Sequence, residues 1–470
     1  MTHFHQFGVT AEVIRRTLDV ALGRGGDDAD LYFEHAGSTS VSLSDNKVNR
    51  ASTHVDLGVG VRVVVGDSVG YAYTEDLSES AMIAAARIAA EIADGTRKHA
   101  PVSADEKRLA DRYPVDKPWE NVDMLTRVGM VRNWESRVFS LDPRIRKVET
   151  MLADSFKHIL VARPNGHLVY DYQPMTRAFV VCTAEDGGKR ESASANIAQR
   201  QGLEFYTEER VARLCKRAVD HTTLLFEAGK PPAGEMTVVL GAGSSGILLH
   251  EAIGHGLEAD FNRKGISIFA DRVGTRIAPA GVTIVDDGTI PHARGSINTD
   301  DEGNRPEKTT LVEDGILKGF LHDEISARHY GVAPTGSGRR ESFRHVVLPR
   351  MRSTYMESGT HSPEEIIGSV KKGIYCSNFA NGQVQIGAGD FAFYVRHGYL
   401  IEDGKLTKPI KDVNIIGNGP DVLATVEMVG NDLEIDEGGW TCGKDGQSVP
   451  VSQGMPTVKV SKLSVGGVSQ

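Results

Sequence analysis

The sequence is poor in cysteine, has no long apolar run and carries little net charge. Four of its 470 residues are cysteines, Cys182, Cys215, Cys376 and Cys442. So few cysteines, so widely spaced, do not form a disulfide framework. No stretch approaches the roughly 18–20 apolar residues that a membrane-spanning helix needs. The formal net charge of −10 is small for this length and disfavours a generally basic nucleic-acid-binding protein.

The composition is typical of a globular protein with more than one domain. Hydrophobic residues make up 40% of the chain and there are 51 glycines, which is enough apolar material for real cores and excludes a wholly disordered chain. At roughly 100–200 residues per domain, two or three domains are expected. The first residues, Met1 to Phe7, show no basic stretch followed by an apolar one. Together with the few scattered cysteines, this favours the cytoplasm.

The first half of the chain alternates between strand and helix patterns. Amphipathic or Ala-rich periodicity predicts helices over 9–24, 78–93, 122–139 and 207–226. Apolar alternation predicts strands at 30–34, 40–44, 58–65 and 69–73, with more between about 146 and 200. A polar, proline-containing bridge separates the two groups over 97–119. The order β-β-β-α, then α-β-β-β-α, predicts an antiparallel sheet with helices on one face.

A Pro- and Gly-rich linker over 228–234 predicts a domain boundary. We therefore expect an α+β protein, with an N-terminal α+β domain over 1–230 and a mostly β domain over 235–470 that carries one metal-binding helix. In the second half, Asp-Gly or Asn-Gly pairs predict hairpin turns. These pairs lie at 287–288, 314–315, 381–382, 403–404 and 418–419.

A glycine-rich segment, Gly241 to Gly246, connects a predicted strand to a predicted helix. It resembles a phosphate-binding loop, but no Lys-Ser or Lys-Thr follows it, and the glycine spacing alone is a weak signal. The favoured interpretation is that the glycines ease a tight strand-to-helix turn, with Ser244 or Ser245 as the N-cap of the helix.

The helix itself carries His250, Glu251 and His255 within six residues. Two imidazoles with an adjacent carboxylate are the groups that a zinc hydrolase needs to hold the metal and to accept a proton. On an ideal α-helix, however, five steps leave the two histidines about 140° apart, which is poor for binding one ion. A π-bulge with one extra residue would bring the rings together, and Gly254 and Gly256 make such a distortion cheap.

The residues leave several candidates for a third metal ligand. Glu258 and Asp260 follow the histidines closely in sequence, while Cys442 lies in a glycine-rich polar segment and offers a thiolate, a strong zinc ligand. The other three cysteines are expected to be small buried hydrophobes, Cys182 and Cys376 in strands and Cys215 on a helix.

The segment His250 to Asp260 resembles the signature of the TldD/PmbA family of metallopeptidases, in particular its TldD branch. Further blocks similar to that family follow in order over most of 235–460. They are Asp286–Thr289, Arg294–Ser296, Asp300–Gly303, Leu311–Leu317, Pro349–Met356, Gly387–Phe391 and Cys442–Pro450.

The resemblance implies a Zn²⁺ site made by His250, His255 and Cys442, with Glu251 as the general base. It implies cleavage of extended or unfolded peptides in the cytoplasm, and bacterial members are linked to peptide-precursor maturation and antitoxin removal. It also implies a dimer, either with a related subunit that lacks the His-Glu motif or with a second copy. No membrane partner and no direct nucleic-acid partner are expected.

Some features depart from the family pattern or leave a choice open. Arg352-Ser353 and Arg396-His397 stand where other pairs are common in the family, which puts the substrate preference in question rather than the metal. Three polar residues are candidates for stabilising the reacting carbonyl oxygen: His345, Arg350 and Tyr355.

Two other function classes compete with the peptidase. One is a non-catalytic peptide-binding or gyrase-modulating subunit, and the other is a nucleotide-dependent enzyme that uses Gly241–Gly246. A general base beside a metal ligand disfavours the first, because a pure binding protein has no need of it.

Overall fold

The computed structural model describes residues 2–95, 105–107, 109–385 and 388–466. Parts of the predicted bridge (97–104 and 108) and Gly387 of one family-like block lie outside these residues. The first half contains the strands β1 (Asp28–Ser44), β2 (Lys47–Val65), β3 (Ser68–Thr74), β4 (Asp105–Glu106), β5 (Ile145–Ala162), β6 (His167–Asp186) and β7 (Lys189–Gln199). Its helices are α1 (Thr2–His5), α2 (Ala11–Ala21), α3 (Glu79–Ala90), α4 (Met124–Leu141) and α5 (Glu208–Leu224), with 3-10 turns at Trp119–Asn121 and Leu203–Phe205.

The long helices begin where a polar side chain caps them. Ser78, Asp123 and Thr207 each accept a hydrogen bond from a backbone N–H in the first turn of α3, α4 and α5, which satisfies a donor that would otherwise lack a partner. The helices predicted over 78–93, 122–139 and 207–226 are therefore confirmed, with ends shifted by a few residues.

The strands of the first half form one sheet in the order β3-β2-β1-β5-β6, and β6 pairs with β4 at its first two residues and with β7 over its second half. All pairings are antiparallel except the short one between β4 and β6. The predicted antiparallel sheet is confirmed. Strand structure at 30–34 and 40–44 is confirmed, but the division into two strands is wrong, because both segments belong to one strand, β1, that pairs with β2 and β5. Gly37 permits this continuity, since a Cβ there would lie 2.4 Å from the ring of Phe156.

The two faces of this sheet have different neighbours. Alternate residues of β1 point to opposite faces. Leu31 and Phe33 belong to the core under α2 and α3, and Val41 belongs to the core under α4 and α5. Tyr32, between them, packs instead with Phe343 from the second half of the chain. The helices therefore cover one face, and the second half of the chain covers the other.

The second half is mostly β structure with short helices. Its strands are β8 (Gly234–Leu240), β9 (Ile284–Asp287), β10 (Lys308–Glu313), β11 (Ile316–Leu317), β12 (Gly338–Arg339), β13 (Leu348–Pro349), β14 (Ser353–Met356), β15 (Lys372–Gln385), β16 (Asp390–Glu402), β17 (Lys405–Asn418), β18 (Val426–Val429), β19 (Glu434–Ile435), β20 (Thr441–Lys444), β21 (Gln447–Pro450), β22 (Ser452–Met455) and β23 (Val458–Gly466). Its helices are α6 (Gly246–Leu249), a π-helical segment (His250–Gly254), a 3-10 turn (His255–Leu257), α7 (Ala259–Arg263), α8 (Glu324–Tyr330), α9 (Pro363–Gly368) and α10 (Gly419–Ala424).

Two six-stranded sheets organise these elements. One has the order β11-β10-β9-β14-β22-β19, and the other has the order β17-β16-β15-β8-β23-β18. In the second sheet β17 also pairs with β23, so five of its strands close into a ring. The hairpin β20–β21 forms a separate two-stranded ribbon. One large apolar core joins residues of both sheets to Leu249, Ile253 and Cys442.

The predicted hairpin turns are confirmed at two of five positions. Asp314-Gly315 connects β10 to β11 and Asp403-Gly404 connects β16 to β17, each with both residues at positive φ, as a tight hairpin requires. The turn predicted at 381–382 is wrong, because both residues lie inside β15 and pair with β16. Asp287 and Asn418 are the last residues of β9 and β17, and neither pair makes a tight hairpin turn: β9 reaches its partner β10 only through the long segment 288–307, and α10 follows β17.

Charged side chains join the two halves. Arg340 donates to Asp30 of β1 at 3.1 Å, and Arg62 of β2 forms an ion pair with Glu302 at 2.7 Å. All four side chains are buried. Tyr71 of β3 also donates to the Phe343 carbonyl at 2.7 Å. Within the described ranges, no helix is both long and apolar enough to cross a bilayer.

Candidate metal centre

The helix that follows β8 is irregular where the two histidines lie. The α-helical turn Gly246–Leu249 passes into a π-helical segment, His250–Gly254, and then into a 3-10 turn, His255–Leu257. A π-helical turn holds one residue more than an α-turn. The predicted bulge is therefore present, and it compensates for the extra residue between His250 and His255.

The distortion brings both imidazoles to Cys442. One donor atom from each of His250, His255 and Cys442 lies within 4.8 Å of the other two. The imidazole rings have their centroids 5.1 Å apart and are nearly perpendicular. Sγ of Cys442 lies 3.6 Å from Nε2 of His255. The three residues are only 1%, 3% and 1% exposed, respectively.

These donors fit a zinc ion. A tetrahedral zinc with its usual Zn–S distance of about 2.3 Å and Zn–N distance of about 2.0–2.1 Å places those two ligands about 3.6 Å apart. This is the separation between the Cys442 and His255 donor atoms. In addition, Nδ1 of His250 is buried without a hydrogen-bond partner, which is costly unless another group satisfies it.

The charges of the cluster favour a thiolate. Burial would raise the pKa of Cys442, but the adjacent imidazoles of His250 and His255 hold it well below its ordinary value. Burial would lower the pKa of His255, but Glu258 and Cys442 raise it well above the ordinary value. Both shifts favour an imidazolium at His255 beside a thiolate at Cys442, and the thiolate is the form of cysteine that binds a metal ion.

Two carboxylates offered as alternative ligands by the sequence lie behind the cluster. Glu258 Oε2 accepts a hydrogen bond from His255 Nδ1 at 3.0 Å and pairs with the Lys444 ammonium at 3.1 Å. Asp260 pairs with the same ammonium at 2.7 Å. Glu258 thus fixes which ring nitrogen of His255 faces Cys442, an arrangement typical of metal-binding histidines. The structure does not bring Asp260 into the donor cluster.

Lys444 and Cys442 lie on the same strand, two residues apart, so both side chains point to the same side of the ribbon β20–β21. The ammonium also donates to the Pro349 carbonyl at 3.0 Å. One short strand therefore supplies the sulfur and the cation that neutralises the carboxylate behind His255. No sequence pattern indicates a role for Lys444 apart from its place in the same block as Cys442.

Only one of the three proposed carbonyl-stabilising residues contacts the cluster in the described part of the chain. Arg350 is fully buried and donates from Nη2 to the Cys442 carbonyl at 2.7 Å and to its sulfur at 3.1 Å. His345 instead bonds Ser342 at 3.0 Å, and Tyr355 faces the Lys308 ammonium at 5.8 Å. Glu251 is partly buried and lies in the π-helical segment beside His250.

The other three cysteines are confirmed as buried thiols in strands or a helix. Cys182 lies in β6, Cys215 in α5 and Cys376 in β15. Burial raises the pKa of Cys182 to about 11 and those of Cys215 and Cys376 to about 12. Cys442 differs from them because imidazoles surround its sulfur.

The loop Gly241–Gly246 is committed to packing rather than open to a phosphate. The N–H groups of Gly241 and Gly243 donate to the carbonyls of Cys376 and Met455. Ser245 occupies the expected N-cap position of α6, but its hydroxyl donates back to the Gly241 carbonyl and makes no capping bond. The glycines therefore serve a tight strand-to-helix turn.

The residues at which the sequence departs from the family pattern are structural contacts. Arg352 is fully buried and pairs with Asp286 at 2.7 Å. Arg396 donates to the Ser194 hydroxyl at 2.6 Å, and the ring of His397 lies 4.7 Å from that of His221. Arg396 and His397 thus lie where the two halves of the chain meet, whereas Arg352 holds β14 to β9.

Comparison with known proteins gives a consistent match over almost the whole chain. Three family models match: PmbA/TldA metallopeptidase domain 1 over 29–93, the PmbA/TldA central domain over 117–225 and the PmbA/TldA C-terminal domain over 233–467. The chain is 38% identical over 468 residues to a protein of Haemophilus influenzae named "Metalloprotease TldD homolog". The match covers 98% of this chain and 97% of that protein.

A second relative and a solved structure extend the comparison. A protein of Saccharolobus solfataricus named "Zinc metalloprotease TldD homolog" is 29% identical, with 94% of this chain and 97% of that protein covered. The crystal structure of TldE from Thermococcus kodakarensis matches with a TM-score of 0.74 at 19% identity, covering 97% of this chain and all of the other. At that identity the likeness shows the fold alone.

Proposed function

The chain belongs to the PmbA/TldD metallopeptidase family, and on this premise we propose that it is a zinc-dependent peptidase that cleaves extended or unfolded peptides in the cytoplasm. The observation that supports the proposal most strongly is the convergence of His250, His255 and Cys442 through the π-helical segment. These three residues would hold the ion. Zinc would supply Lewis acidity to the scissile carbonyl and to the water that attacks it.

The proton transfers are assigned to Glu251. A carboxylate beside a metal ligand can accept the proton of the attacking water and deliver a proton to the leaving amine. Three ligands that include a thiolate leave a fourth position free for substrate or water, as in catalytic rather than structural zinc sites. Arg350, which donates to the Cys442 sulfur, restrains that thiolate and spreads its charge.

The substrate class follows from how deeply the cluster is buried. Because the three candidate ligands are almost fully covered, a thin extended chain reaches them more readily than a folded surface does. An extended peptide that adds to the edge of a sheet is held through main-chain hydrogen bonds with little sequence preference. Such substrates include peptide precursors and unfolded antitoxins.

The partner we propose is a related subunit that lacks the His-Glu motif, such as a TldE-type chain, or else a second copy of this chain. The likeness to the TldE fold supports a partner of similar shape. A purely non-catalytic role is disfavoured by the complete donor set, since neither peptide holding nor gyrase modulation needs a general base beside two imidazoles.

Metal removal and a single substitution test the proposal. Chelation should abolish cleavage of an unstructured peptide, and added zinc should restore it. Glu251→Gln should keep the zinc content and lower kcat about 10²- to 10⁴-fold, as expected for loss of a general base. Peptide cleavage that persists in fully zinc-free protein, or a Glu251→Gln variant with native kcat, would contradict the proposal.

A further inference from the structure

A cavity of about 280 Å³ lies between the two halves of the chain, beside the ribbon that carries Cys442. Its ionisable lining consists of Lys157, Arg200, Arg294, Arg339 and Arg340 against Asp301 and Glu341. We call it the arginine cavity.

Two of the five cations already have carboxylate partners. Lys157 pairs with Glu34 at 3.1 Å and Arg340 pairs with Asp30 at 3.1 Å. Among the described residues, Arg200, Arg294 and Arg339 form no ion pair with any carboxylate. These three guanidinium groups are the cations of the cavity that have no salt bridge.

The three arginines hold backbone carbonyls instead. Arg339 donates to the carbonyls of Met351 and Pro450, both at 2.8 Å. Nε of Arg294 donates to the Trp440 carbonyl at 2.9 Å, and Nε of Arg200 donates to the Arg294 carbonyl at 3.1 Å. Within the described part of the chain, Nη2 of Arg200 and Nη1 of Arg294 have no hydrogen-bond partner. These contacts fix the groups in place and leave donors free.

The two acidic groups of the cavity form no ion pair with Arg200, Arg294 or Arg339. Asp301 Oδ2 accepts from the Arg340 backbone N–H at 2.7 Å, and Glu341 Oε2 accepts from the Ser448 backbone N–H at 2.6 Å. Burial lowers the pKa of Arg294 to about 9, and neighbouring guanidinium groups act in the same direction. Burial and the Arg200 guanidinium lower the pKa of Arg339 to about 10, although Asp301 opposes the shift. Both side chains remain cationic at neutral pH, and their mutual repulsion is relieved by an anion between them.

The arginine cavity adjoins the candidate metal centre along the ribbon. Thr441, Ser448 and Pro450 line the cavity, and Cys442 follows Thr441 directly on β20. Because side chains alternate along a strand, Thr441 faces the cavity while Cys442 faces the two histidines. The thickness of one two-stranded ribbon therefore separates the cavity from the donor cluster.

We propose that the arginine cavity binds a carboxylate of the peptide substrate, with Arg200 and Arg294 as its binding residues. The inference rests on the proposed peptidase function, because a peptide that crosses the ribbon reaches both the cavity and the zinc. Planar guanidinium groups match carboxylates by paired hydrogen bonds. Tyr32, Met175 and Ile297 in the lining accommodate the hydrocarbon part of the same residue. The carboxylate comes from the free C-terminus of the peptide or from an Asp or Glu side chain.

Matched peptides test the proposal without changing the protein. The two peptides of the first pair have the same sequence, but one ends in a free carboxylate and the other in a carboxamide. The two peptides of the second pair both end in a carboxamide, and one has Glu where the other has Gln. Binding is measured by fluorescence anisotropy on zinc-loaded Glu251→Gln protein, and kcat/KM is measured on the native protein. We expect the carboxylate member of one pair to bind about tenfold or more tightly, as a charge-assisted hydrogen bond implies. The pair that shows the difference identifies the source of the carboxylate.

Arg294→Gln and Arg200→Gln are each made in the Glu251→Gln background. We expect each of them to abolish the preference, so that both members of the peptide pair bind equally. Arg144→Gln, which removes a surface arginine paired with Asp142 and Asp186, is expected to preserve it. Equal binding of both members in both pairs would overturn the proposal while leaving the peptidase function intact. A binding preference without any hydrolysis would support the cavity and reject the peptidase. If an arginine variant does not fold, the preference between matched peptides in the protein with native arginines still tests the proposal.

Discussion

A methyl group added at Gly246 tests whether close backbone packing determines the position of the candidate zinc ligands. A Cβ atom at this residue would lie 2.6, 2.8 and 2.9 Å from backbone atoms of Gly454 in β22, which falls 0.5 to 0.8 Å short of an ordinary 3.4 Å contact. Backbone cannot rotate aside as a side chain can. The first turn of α6 therefore has to move away from β22, and His250 lies only four residues after Gly246.

We expect Gly246→Ala to lower the free energy of unfolding by about 1–3 kcal/mol, the usual cost of overpacking. It should also weaken zinc binding by about tenfold or more, because ligand distances at zinc sites normally stay within about 0.2 Å of their standard values. Urea unfolding followed by circular dichroism and zinc competition against a chelator of known affinity measure the two effects.

Gly129→Ala is the matched control. Gly129 lies inside α4, and a Cβ there meets nothing within 4 Å. Alanine in a helix interior is more stable than glycine by about 0.5–1 kcal/mol, so this variant should be slightly more stable and should bind zinc normally. A Gly246→Ala protein with native stability and native zinc affinity would refute the packing argument.

Two further predictions concern the carboxylate behind His255. Glu258→Gln should weaken zinc binding about 10- to 100-fold because His255 loses its charged acceptor. Asp260→Asn, which changes a partner of Lys444, should weaken zinc binding much less. Equal losses of zinc affinity in the two variants, measured by competition with a chelator, would contradict this prediction. In metal-free protein, burial would raise the pKa of Glu258, but Lys444 and His255 lower it from 4.5 to about 2. Its ionised form therefore stabilises the fold by about 3 kcal/mol above about pH 5. This contribution is lost as the pH falls from about 4.5 toward 2, so the stability gap between the native and Glu258→Gln proteins should narrow over that range in urea unfolding. A gap that does not change with pH would contradict the assignment.

The convergence of the two histidines could be predicted from the sequence because it depends only on the helix that carries them. The spacing between His250 and His255 is wrong for an α-helix by one residue, and a π-helical turn is the standard way to absorb one residue. The structure has that turn. The long-range ligand could not be derived in this way. Cys442 was one of three candidates by chemistry, and only the family resemblance selected it.

Other features could not be predicted from the sequence because they depend on contacts between distant segments. The pairing of Lys444 with Glu258 joins the ribbon to the distorted helix, and no local pattern in either segment indicates the other. The same holds for the arginine cavity, whose guanidinium groups without a salt bridge come from three separate parts of the chain. An arginine in a sequence usually predicts a solvated side chain.

Local signals also failed where tertiary packing overrode them. Asn381-Gly382 is a strong turn sequence, but β15 continues through it because β16 pairs alongside. Gly382 is required there for a different reason, since a Cβ would lie 2.0 Å from the ring of Phe393. A glycine needed for close approach and a glycine needed for a turn look the same in sequence.

Zinc K-edge X-ray absorption on the zinc-loaded protein is the most direct test of the metal centre. The proposed ligands predict one sulfur neighbour at about 2.3 Å and two imidazole nitrogens at about 2.0–2.1 Å, with the sulfur signal lost in Cys442→Ser. A spectrum without sulfur in the native protein, or one that keeps its sulfur in Cys442→Ser, would contradict the assignment of His250, His255 and Cys442 as the zinc ligands.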